Sequence, residues 1–184
     1  MENSKPTFCV LGAGHGGQAL AAHLSLLGFD VSLYNRTFAR IKQIKALGGI
    51  NLEGEVKGFA KISVVTDKIE EAMEGREIIM VVVPAYAHRP LAESMAPYLE
   101  DGQKIILNPG RTGGALEVRS VLKKKNVKKD VIVAETQTFI YASRAENPGQ
   151  VRIFRIKNAI PVAALPTYRT VEVLSRLRIA FPQF

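Results

Sequence analysis

The sequence predicts an α/β protein in which helices cover both faces of a doubly wound, mostly parallel sheet. Short apolar runs alternate with stretches whose apolar residues recur at helical spacing, which is typical of such sheets. The run from Ile78 to Val83 is the most hydrophobic of the chain, as expected for a central strand covered on both faces. A glycine-rich turn joins the first apolar run to the first helical stretch, as in the opening βα unit of these sheets.

The first part of the chain follows this alternation closely. Apolar residues recur at helical spacing in residues 16–28 and 37–47, at Leu20, Leu24 and Leu27 and at Ile41, Ile44 and Leu47. The predicted strands are Phe8–Leu11, Val31–Tyr34, Ile62–Val65 and Ile78–Val83, with short hairpin strands in the glycine-rich stretch 48–58. These strands and helices form the first part of the predicted sheet.

The second part continues the alternation and then changes. A helix over 89–99, a strand over Lys104–Leu107, a helix over 113–125 and a strand over Val131–Ala134 are predicted. Three successive strands follow, over residues 139–143, 151–157 and 159–164, with a turn at Asn147-Pro148-Gly149. We expect them to form an antiparallel edge or meander, followed by a helix over 167–180. One domain over residues 1–184 is expected, with 139–184 as edge strands and a terminal helix.

The composition is that of a globular protein. The chain has 184 residues, of which 47% are hydrophobic and 23% charged. It has no apolar run of the roughly 18 residues that a membrane-spanning helix needs, and residues 1–6 do not resemble a secretory signal. The single cysteine, Cys9, cannot form an internal disulfide, which favours a reducing, cytoplasmic location. The three histidines lack the spacing of metal ligands, and we predict no metal site.

The net charge of +8 is concentrated in the second half of the chain. Residues 104–129 hold eight basic residues and one acidic residue, and residues 144–184 hold seven basic and two acidic residues. This excess indicates an anionic ligand or partner, or else a solvated, lysine-rich helix end such as Lys123-Lys124-Lys125. No nucleic-acid recognition motif accompanies the charge and aromatic residues make up only 7%, so nucleic-acid binding is not predicted.

A G-x-G-x-x-G motif stands between the first predicted strand and helix, at Gly12, Gly14 and Gly17. The first glycine permits a tight turn, the second lets backbone approach a pyrophosphate, and the third lets helix and strand pack closely. The helix N-terminus then offers unpaired N–H groups to phosphate, and His15 and Gly16 lie in the same loop. The motif predicts a dinucleotide-binding, Rossmann-type domain.

The end of the second strand indicates which dinucleotide is bound. Sheets that bind NAD usually end this strand in Asp or Glu, which takes the ribose hydroxyls. Here the strand ends in Tyr34-Asn35-Arg36-Thr37, so Arg36 can pair with a 2′-phosphate, with Asn35 and Thr37 adding hydrogen bonds. We therefore predict NADP, with NAD as the alternative. A second interpretation makes Thr37 a helix N-cap and Arg36 a solvated turn residue.

Three later loops are expected at the same edge of the sheet, where ligands of open α/β sheets bind. The residues predicted to contact cofactor there are Val83, Pro84, Ala85, His88, Asn108, Pro109, Gly110, Glu135 and Thr136. Asn108 can bond the nicotinamide ribose, Thr136 the carboxamide, and Glu135 the nicotinamide or a substrate ammonium. His88 acts near the nicotinamide or caps a helix. The alternative for all three loops is that they are ordinary polar turns.

Four segments together resemble the N-terminal domain of the octopine/nopaline (opine) dehydrogenase family. They are Gly-Ala-Gly-His-Gly-Gly at 12–17, Val-Pro-Ala-Tyr-Ala-His at 83–88, Leu-Asn-Pro-Gly-Arg-Thr-Gly-Gly-Ala-Leu at 107–116 and Glu-Thr-Gln-Thr at 135–138. The last two are the most specific, and the resemblance covers essentially the whole chain. A looser resemblance extends to ketopantoate reductases and glycerol-3-phosphate dehydrogenases. The segment 34–37 is similar to NADP-using 6-phosphogluconate dehydrogenases.

The resemblance implies an oxidoreductase that condenses an α-keto acid with the amino group of an amino acid, using hydride from the nicotinamide. It also implies a helical second domain with the substrate site and a catalytic His/Asp pair. That domain is expected beyond Phe184, so no catalytic residue is assigned and the chain alone is expected to be inactive. An exposed apolar face is expected on the terminal helix and hairpin, and it can support a homodimer. The alternatives are a non-catalytic NADP-binding module and an enzyme of the ketopantoate reductase or glycerol-3-phosphate dehydrogenase type.

Overall fold

The computed structural model describes residues 4–111 and 113–184, where the strands fall into two sheets. The strands are β1 (Phe8–Leu11), β2 (Val31–Tyr34), β3 (Gly49–Gly54), β4 (Gly58–Lys61), β5 (Val64–Thr66), β6 (Ile78–Val81), β7 (Lys104–Leu107), β8 (Ile132–Thr136), β9 (Tyr141–Asn147), β10 (Gln150–Ile156) and β11 (Val162–Leu165). The α-helices are α1 (His15–Leu26), α2 (Lys42–Leu47), α3 (Ile69–Met73), α4 (His88–Met95), α5 (Gly114–Lys124) and α6 (Thr170–Leu177).

The larger sheet has seven strands in the order β11-β8-β7-β6-β1-β2-β5. Its strand pairs are parallel except that β11 runs antiparallel to β8. This confirms the predicted Rossmann-type, doubly wound sheet. After β1 the chain turns to β2 on one side and later returns to β6 on the other, so the order reverses between β1 and β6. The carboxyl ends of these two strands form the crevice in which open α/β sheets bind ligands.

The smaller sheet has four strands in the order β4-β3-β10-β9. The predicted glycine-rich hairpin is present as β3 and β4, and β10 pairs in parallel with β3 and antiparallel with β9. Of the expected antiparallel edge or meander, the antiparallel edge is confirmed, because β11 is the edge strand of the larger sheet, whereas the three strands do not form one meander. The turn at residues 147–149 does join β9 to β10, but both strands belong to the smaller sheet, and only β11 extends the larger one.

Helix α1 lies between the two sheets and explains why the second sheet forms there. The residues from Gly17 to Leu24 are all buried, so this helix has no solvent face over two turns. The larger sheet covers one side, while β3, β4, β9 and β10 contact the others. Leu27, predicted as part of an apolar stripe, is 41% exposed instead. Small residues such as Ala19, Ala21 and Ala22 permit this close packing on several sides.

Several helices are shorter than their sequence patterns predict. The stretches 37–47, 89–99 and 167–180 each contain an α-helix (α2, α4 or α6) next to a three-residue 3₁₀ turn. Helix α3, which has five residues, was not predicted, because a helix this short shows no readable period. The longest helix described, α1 with 12 residues, spans about 18 Å. No helix in the described ranges is long and apolar enough to cross a bilayer.

Two apolar clusters lie on opposite faces of the larger sheet, and all residues of β1, β2, β6 and β7 are buried. Cys9 lies in β1, and burial raises the pKa of its thiol to about 12. This agrees with an inert core residue. The terminal helix α6 is tied to the sheet by Arg176, whose guanidinium Nε lies 2.7 Å from the Glu77 carboxylate.

Candidate functional site

The glycine loop between β1 and α1 has the geometry that its motif predicts. Gly12 has a φ of +111°, and a Cβ there would lie 2.5 Å from the carbonyl oxygen of Val82. A Cβ on Gly17 would overlap the carbonyl oxygen of Gly12. Gly14, in contrast, faces open space: in the described part of the chain, no atom beyond its immediate neighbours lies within 4 Å of a Cβ built on it. The loop is thus closely packed at both ends and open in the middle, at the N-terminus of α1.

A cleft of about 430 Å³ opens beside this loop at the carboxyl edge of the sheet. One wall comes from Gly12 and the end of β2, where Tyr34, Asn35, Arg36 and Thr37 line it. The opposite wall comes from the segment after β6, which includes the predicted site residues Val83 and Pro84 and the first turn of α4. Ala85 starts the 3₁₀ turn of this segment. The cleft therefore brings together two segments that the sequence analysis assigned to the cofactor.

The cleft is basic. Arg36 and Arg40 both line it and both side chains are exposed. Within the described ranges neither forms an ion pair, and no Asp or Glu contributes to the lining. Arg40 was missed by sequence reasoning, because no local pattern shows that the 38–40 turn brings Arg40 to the same cleft as Arg36. The two guanidinium groups give the cleft a positive field suited to an anion.

Asn35 and Thr37 have different surroundings within this wall. The Asn35 Oδ1 accepts a hydrogen bond from the Ala13 N–H at 3.2 Å, and its Nδ2 donates to the Thr37 carbonyl at 3.0 Å. Asn35 therefore ties the glycine loop to the end of β2. Thr37 occupies the N-cap position of the 38–40 turn, but its side chain makes no capping hydrogen bond. The Thr37 hydroxyl therefore does not make the capping hydrogen bond that the N-cap interpretation requires.

Two polar atoms are buried without a partner at the predicted nicotinamide side. Asn108 is 3% exposed, and its Nδ2 donates to the Ile106 carbonyl at 2.8 Å, while its Oδ1 has no partner in the described part of the chain. His88 is 2% exposed, and its Nε2 is likewise unpaired there. Burial lowers the pKa of His88, so its ring is neutral near pH 7. Buried polar atoms of this kind normally have a partner.

Glu135 and Thr136 bond to the protein itself. The Glu135 Oε2 accepts the Ala115 N–H at 2.8 Å, at the start of α5, and the Thr136 hydroxyl donates to the Leu107 carbonyl at 3.2 Å. Gly110 packs so closely on Glu135 that a Cβ would overlap its side chain. These contacts hold the loop after β7, including the half-buried Pro109, against the end of β8. Thr112, within the segment that carries the resemblance, lies outside the described residues.

His15 and Gly16 both contact the chain beyond β8. The Nδ1 of His15 accepts the Ala145 N–H of β9 at 2.9 Å, so the neutral ring carries its proton on Nε2. A Cβ on Gly16 would lie 2.8 Å from the Phe139 Cε1 and 3.2 Å from the Val82 Cγ1. Phe139 was not among the predicted site residues, because its position over the glycine loop depends on the path of the chain after β8.

The comparison with protein families gives one match. Residues 7–135 match the family model described as NAD-dependent glycerol-3-phosphate dehydrogenase N-terminus. Among curated proteins, the chain is 40% identical over 179 residues to the opine dehydrogenase of Arthrobacter sp. (strain 1C), covering 97% of this chain and 50% of that protein. It is 28% identical over 185 residues to the octopine dehydrogenase of Pecten maximus, covering 93% and 45%.

Solved structures share the fold at lower identity. An octopine dehydrogenase with NADH and L-arginine matches with a TM-score of 0.80 and 24% identity, over 98% of this chain and 48% of that one. Yersinopine dehydrogenase with bound NADP⁺ matches with a TM-score of 0.71 and 22% identity, over 96% and 46%. A ketopantoate reductase from Ralstonia eutropha matches with a TM-score of 0.72 and 20% identity, over 95% and 54%. The chain spans about half the length of the relatives it matches.

Proposed function

Because the chain belongs to the family described as NAD-dependent glycerol-3-phosphate dehydrogenase N-terminus, and is the NAD-binding N-terminal domain of the opine and octopine dehydrogenase family, we infer that it binds a nicotinamide dinucleotide. We propose that this dinucleotide is NADP in preference to NAD. The site suits a dinucleotide at three points. These are the open space at Gly14, the basic cleft beside it, and the unpaired Oδ1 of the buried Asn108. The bound cofactor would supply the hydride for reduction.

The pair Arg36 and Arg40 supports the choice of NADP. A 2′-phosphate carries about two negative charges, and guanidinium groups are well suited to phosphate because they donate several hydrogen bonds in one plane. An Asp or Glu at the end of β2, which would repel that phosphate, is absent from the sequence at residues 34–37. Thr37, with a hydroxyl free of capping bonds, is a further donor in the same wall.

The roles of the other site residues follow from their surroundings. In the proposal Gly14 receives the pyrophosphate at the N-terminus of α1, Gly12 and Gly17 give the loop its shape through their close packing, and the Nε2–H of His15 donates to the pyrophosphate. Asn108 is buried, so its Oδ1 accepts from a ribose hydroxyl of the nicotinamide half only if the loop after β7 shifts when cofactor binds. Asn35, Glu135 and Thr136 act through the backbone segments that they hold in place.

For the whole protein we propose the reductive condensation of an α-keto acid with an amino acid. The support is the 40% identity to an opine dehydrogenase over 97% of this chain. An enzyme of the glycerol-3-phosphate dehydrogenase type is the second candidate, because residues 7–135 match that family model. The two candidates are separated by assays of a protein that also contains the second half of these relatives. One assay supplies an α-keto acid with an amino acid, and the other supplies glycerol 3-phosphate.

The cofactor proposal is tested by isothermal titration calorimetry with NADPH and NADH. We expect the chain to bind NADPH more tightly, and Arg36→Ala to weaken NADPH binding about tenfold with little change for NADH, because one charge-assisted contact is lost. Arg40→Ala should have a smaller effect in the same direction. The matched control is Arg119→Ala, since Arg119 is an exposed arginine of α5 that does not line the cleft. Equal affinities of the unmodified chain for the two cofactors would refute the preference for NADP.

A further inference from the structure

Phe139 lies beside the glycine loop, outside the lining of the basic cleft. Its ring edge rests on Gly16, in the first turn of α1, and the side chain of Val82, the residue after β6, lies beside the same glycine. Phe139 itself follows β8 by three residues and does not line the cleft. The ring therefore reaches from the end of β8 to the crevice between β1 and β6. It is half-buried, so part of its surface remains accessible.

The orientation of this ring is held from below by buried groups. The ring of Phe139 packs edge-to-face on Tyr141, with centroids 5.4 Å apart and planes at 82°. The Tyr141 hydroxyl is in turn hydrogen-bonded to His23 Nδ1 of α1 at 2.8 Å. Helix α1 thus contacts this pair of aromatic side chains at two points, with Gly16 against Phe139 and His23 bonded to Tyr141. An aromatic ring fixed in this way presents the same face to any ligand in the crevice.

We propose that Phe139 forms one wall of the nicotinamide subsite and that Gly16 is a glycine because this ring occupies the space of its side chain. The proposal rests on the proposed cofactor function. With the adenosine half in the cleft beside Arg36 and the pyrophosphate at Gly14, the nicotinamide half has to extend past the loop toward the ends of β6 and β7. Val82, Phe139 and the unpaired Oδ1 of Asn108 are found along that path.

The chemistry of the ring fits a flat heteroaromatic ligand. Aromatic side chains bind conjugated rings through dispersion and through the match between a negative face and a positive edge. A ring that covers one side of the nicotinamide leaves only the other side for substrate. Phe139 would therefore orient the cofactor, and it is a positioning and binding residue rather than a catalytic one.

The test compares NADP⁺ with 2′-phospho-ADP-ribose, which keeps both riboses and lacks only the nicotinamide ring. We expect Phe139→Ala to weaken NADP⁺ binding about three- to tenfold, the range of a single aromatic contact. Binding of 2′-phospho-ADP-ribose should change less than twofold. Phe139→Tyr should restore NADP⁺ affinity, because it keeps the ring. The matched control is Phe154→Ala, which removes a 55%-exposed phenylalanine of β10 from the smaller sheet.

Each outcome decides the proposal. An equal loss for both ligands would mean that Phe139 only supports the loop, and no loss for either would mean that it does not meet the cofactor; both overturn the inference. If Phe139→Ala does not fold, Phe139→Leu replaces it, and the same difference between the two ligands is required. Failure of the unmodified chain to bind 2′-phospho-ADP-ribose would overturn the cofactor function itself. Binding of that ligand without a selective effect of Phe139 would overturn this inference alone.

Discussion

At the scale of single residues, the glycines of the first loop have different physical reasons for being glycine. Gly12 needs a positive φ and has no room for a side chain, and Gly17 is in contact with the backbone of Gly12. Gly16 leaves space for an aromatic ring, and Gly14 leaves space that the protein does not fill. Of these four glycines, only Gly14 therefore has space beside it for a ligand. The motif spacing predicted the roles of Gly12, Gly14 and Gly17, while the role of Gly16 depends on Phe139.

The substitutions Gly14→Ala and Gly17→Ala should separate binding from folding. Gly14 has extended backbone (φ −74°, ψ −170°) that alanine adopts without strain, so we expect a stability change below about 1 kcal/mol and a marked loss of NADPH binding. Gly17→Ala places a Cβ on the Gly12 carbonyl and should cost about 1–3 kcal/mol or prevent folding. Urea unfolding and calorimetry measure the two effects. Full NADPH affinity in Gly14→Ala would contradict the assignment of this space to the pyrophosphate.

At the scale of elements, α1 connects the two sheets and the C-terminal segment. Its first residue, His15, accepts a backbone N–H from β9, and His23 in its last turn bonds to Tyr141 of the same strand. The His23 ring also packs on Phe181, with centroids 5.4 Å apart. The period of α1 was readable from the sequence, but its burial on all sides was not. Periodicity reports one covered face, whereas the second cover comes from the smaller sheet, whose strands β9 and β10 lie more than 100 residues later in the chain.

The burial of His23 should make the free energy of unfolding of the chain depend on pH. Burial lowers the pKa of His23 below its ordinary value of 6.5, so the folded state binds fewer protons at this site than the unfolded state does. The free energy of unfolding should therefore fall as the pH drops below about 6.5. The pKa of His88 is lowered for the same reason, and it adds to the slope.

His23→Gln isolates the contribution of His23, because glutamine can bond to the Tyr141 hydroxyl but does not titrate. We expect lower stability at pH 7.5, owing to the lost ring, and a smaller loss between pH 7.5 and pH 5.5 than in the unmodified chain. Urea denaturation at several pH values measures this. Parallel curves for the two proteins would show that His23 is not the group responsible.

At the scale of the whole molecule, charges that are uneven along the sequence are paired in space. Within the described ranges, four of the seven basic residues of 144–184 form ion pairs with carboxylates, among them Arg152 with Glu53 at 2.7 Å and Arg155 with Glu55 at 3.2 Å. Arg176 bonds to Glu77, and Arg169 to Asp130 and Glu172. More than half of the basic residues in this stretch therefore have carboxylate partners within the fold. The lysines at 123–125 are exposed at the end of α5, as the solvated-helix interpretation predicted.

The 184-residue chain should bind NADPH without oxidising it in the presence of pyruvate and amino acids. The reason is that it spans about half of its relatives, and the described residues around the crevice already have structural partners or are assigned to cofactor. Reduced-nicotinamide absorbance over time measures turnover, and calorimetry on the same sample confirms binding. Sustained turnover by this chain would refute the expectation that substrate contacts lie elsewhere.

The sequence by itself determined the properties that depend on neighbouring residues. The period of apolar residues predicts strands and helices, and the glycine spacing predicts a dinucleotide-binding loop. The preference for NADP that the acid-free segment 34–37 indicates stays a prediction. Only the tertiary structure decided the properties that depend on distant residues. These properties are the parallel pairing of β10 with β3, the position of Arg40 in the cleft, the bond of Glu135 to the start of α5 and the contact of Phe139 with Gly16. No local sequence pattern shows that the segments involved lie together. The physical reason is that period and turn chemistry act over a few residues, whereas burial and hydrogen-bond pairing are satisfied by whichever segments the fold brings together.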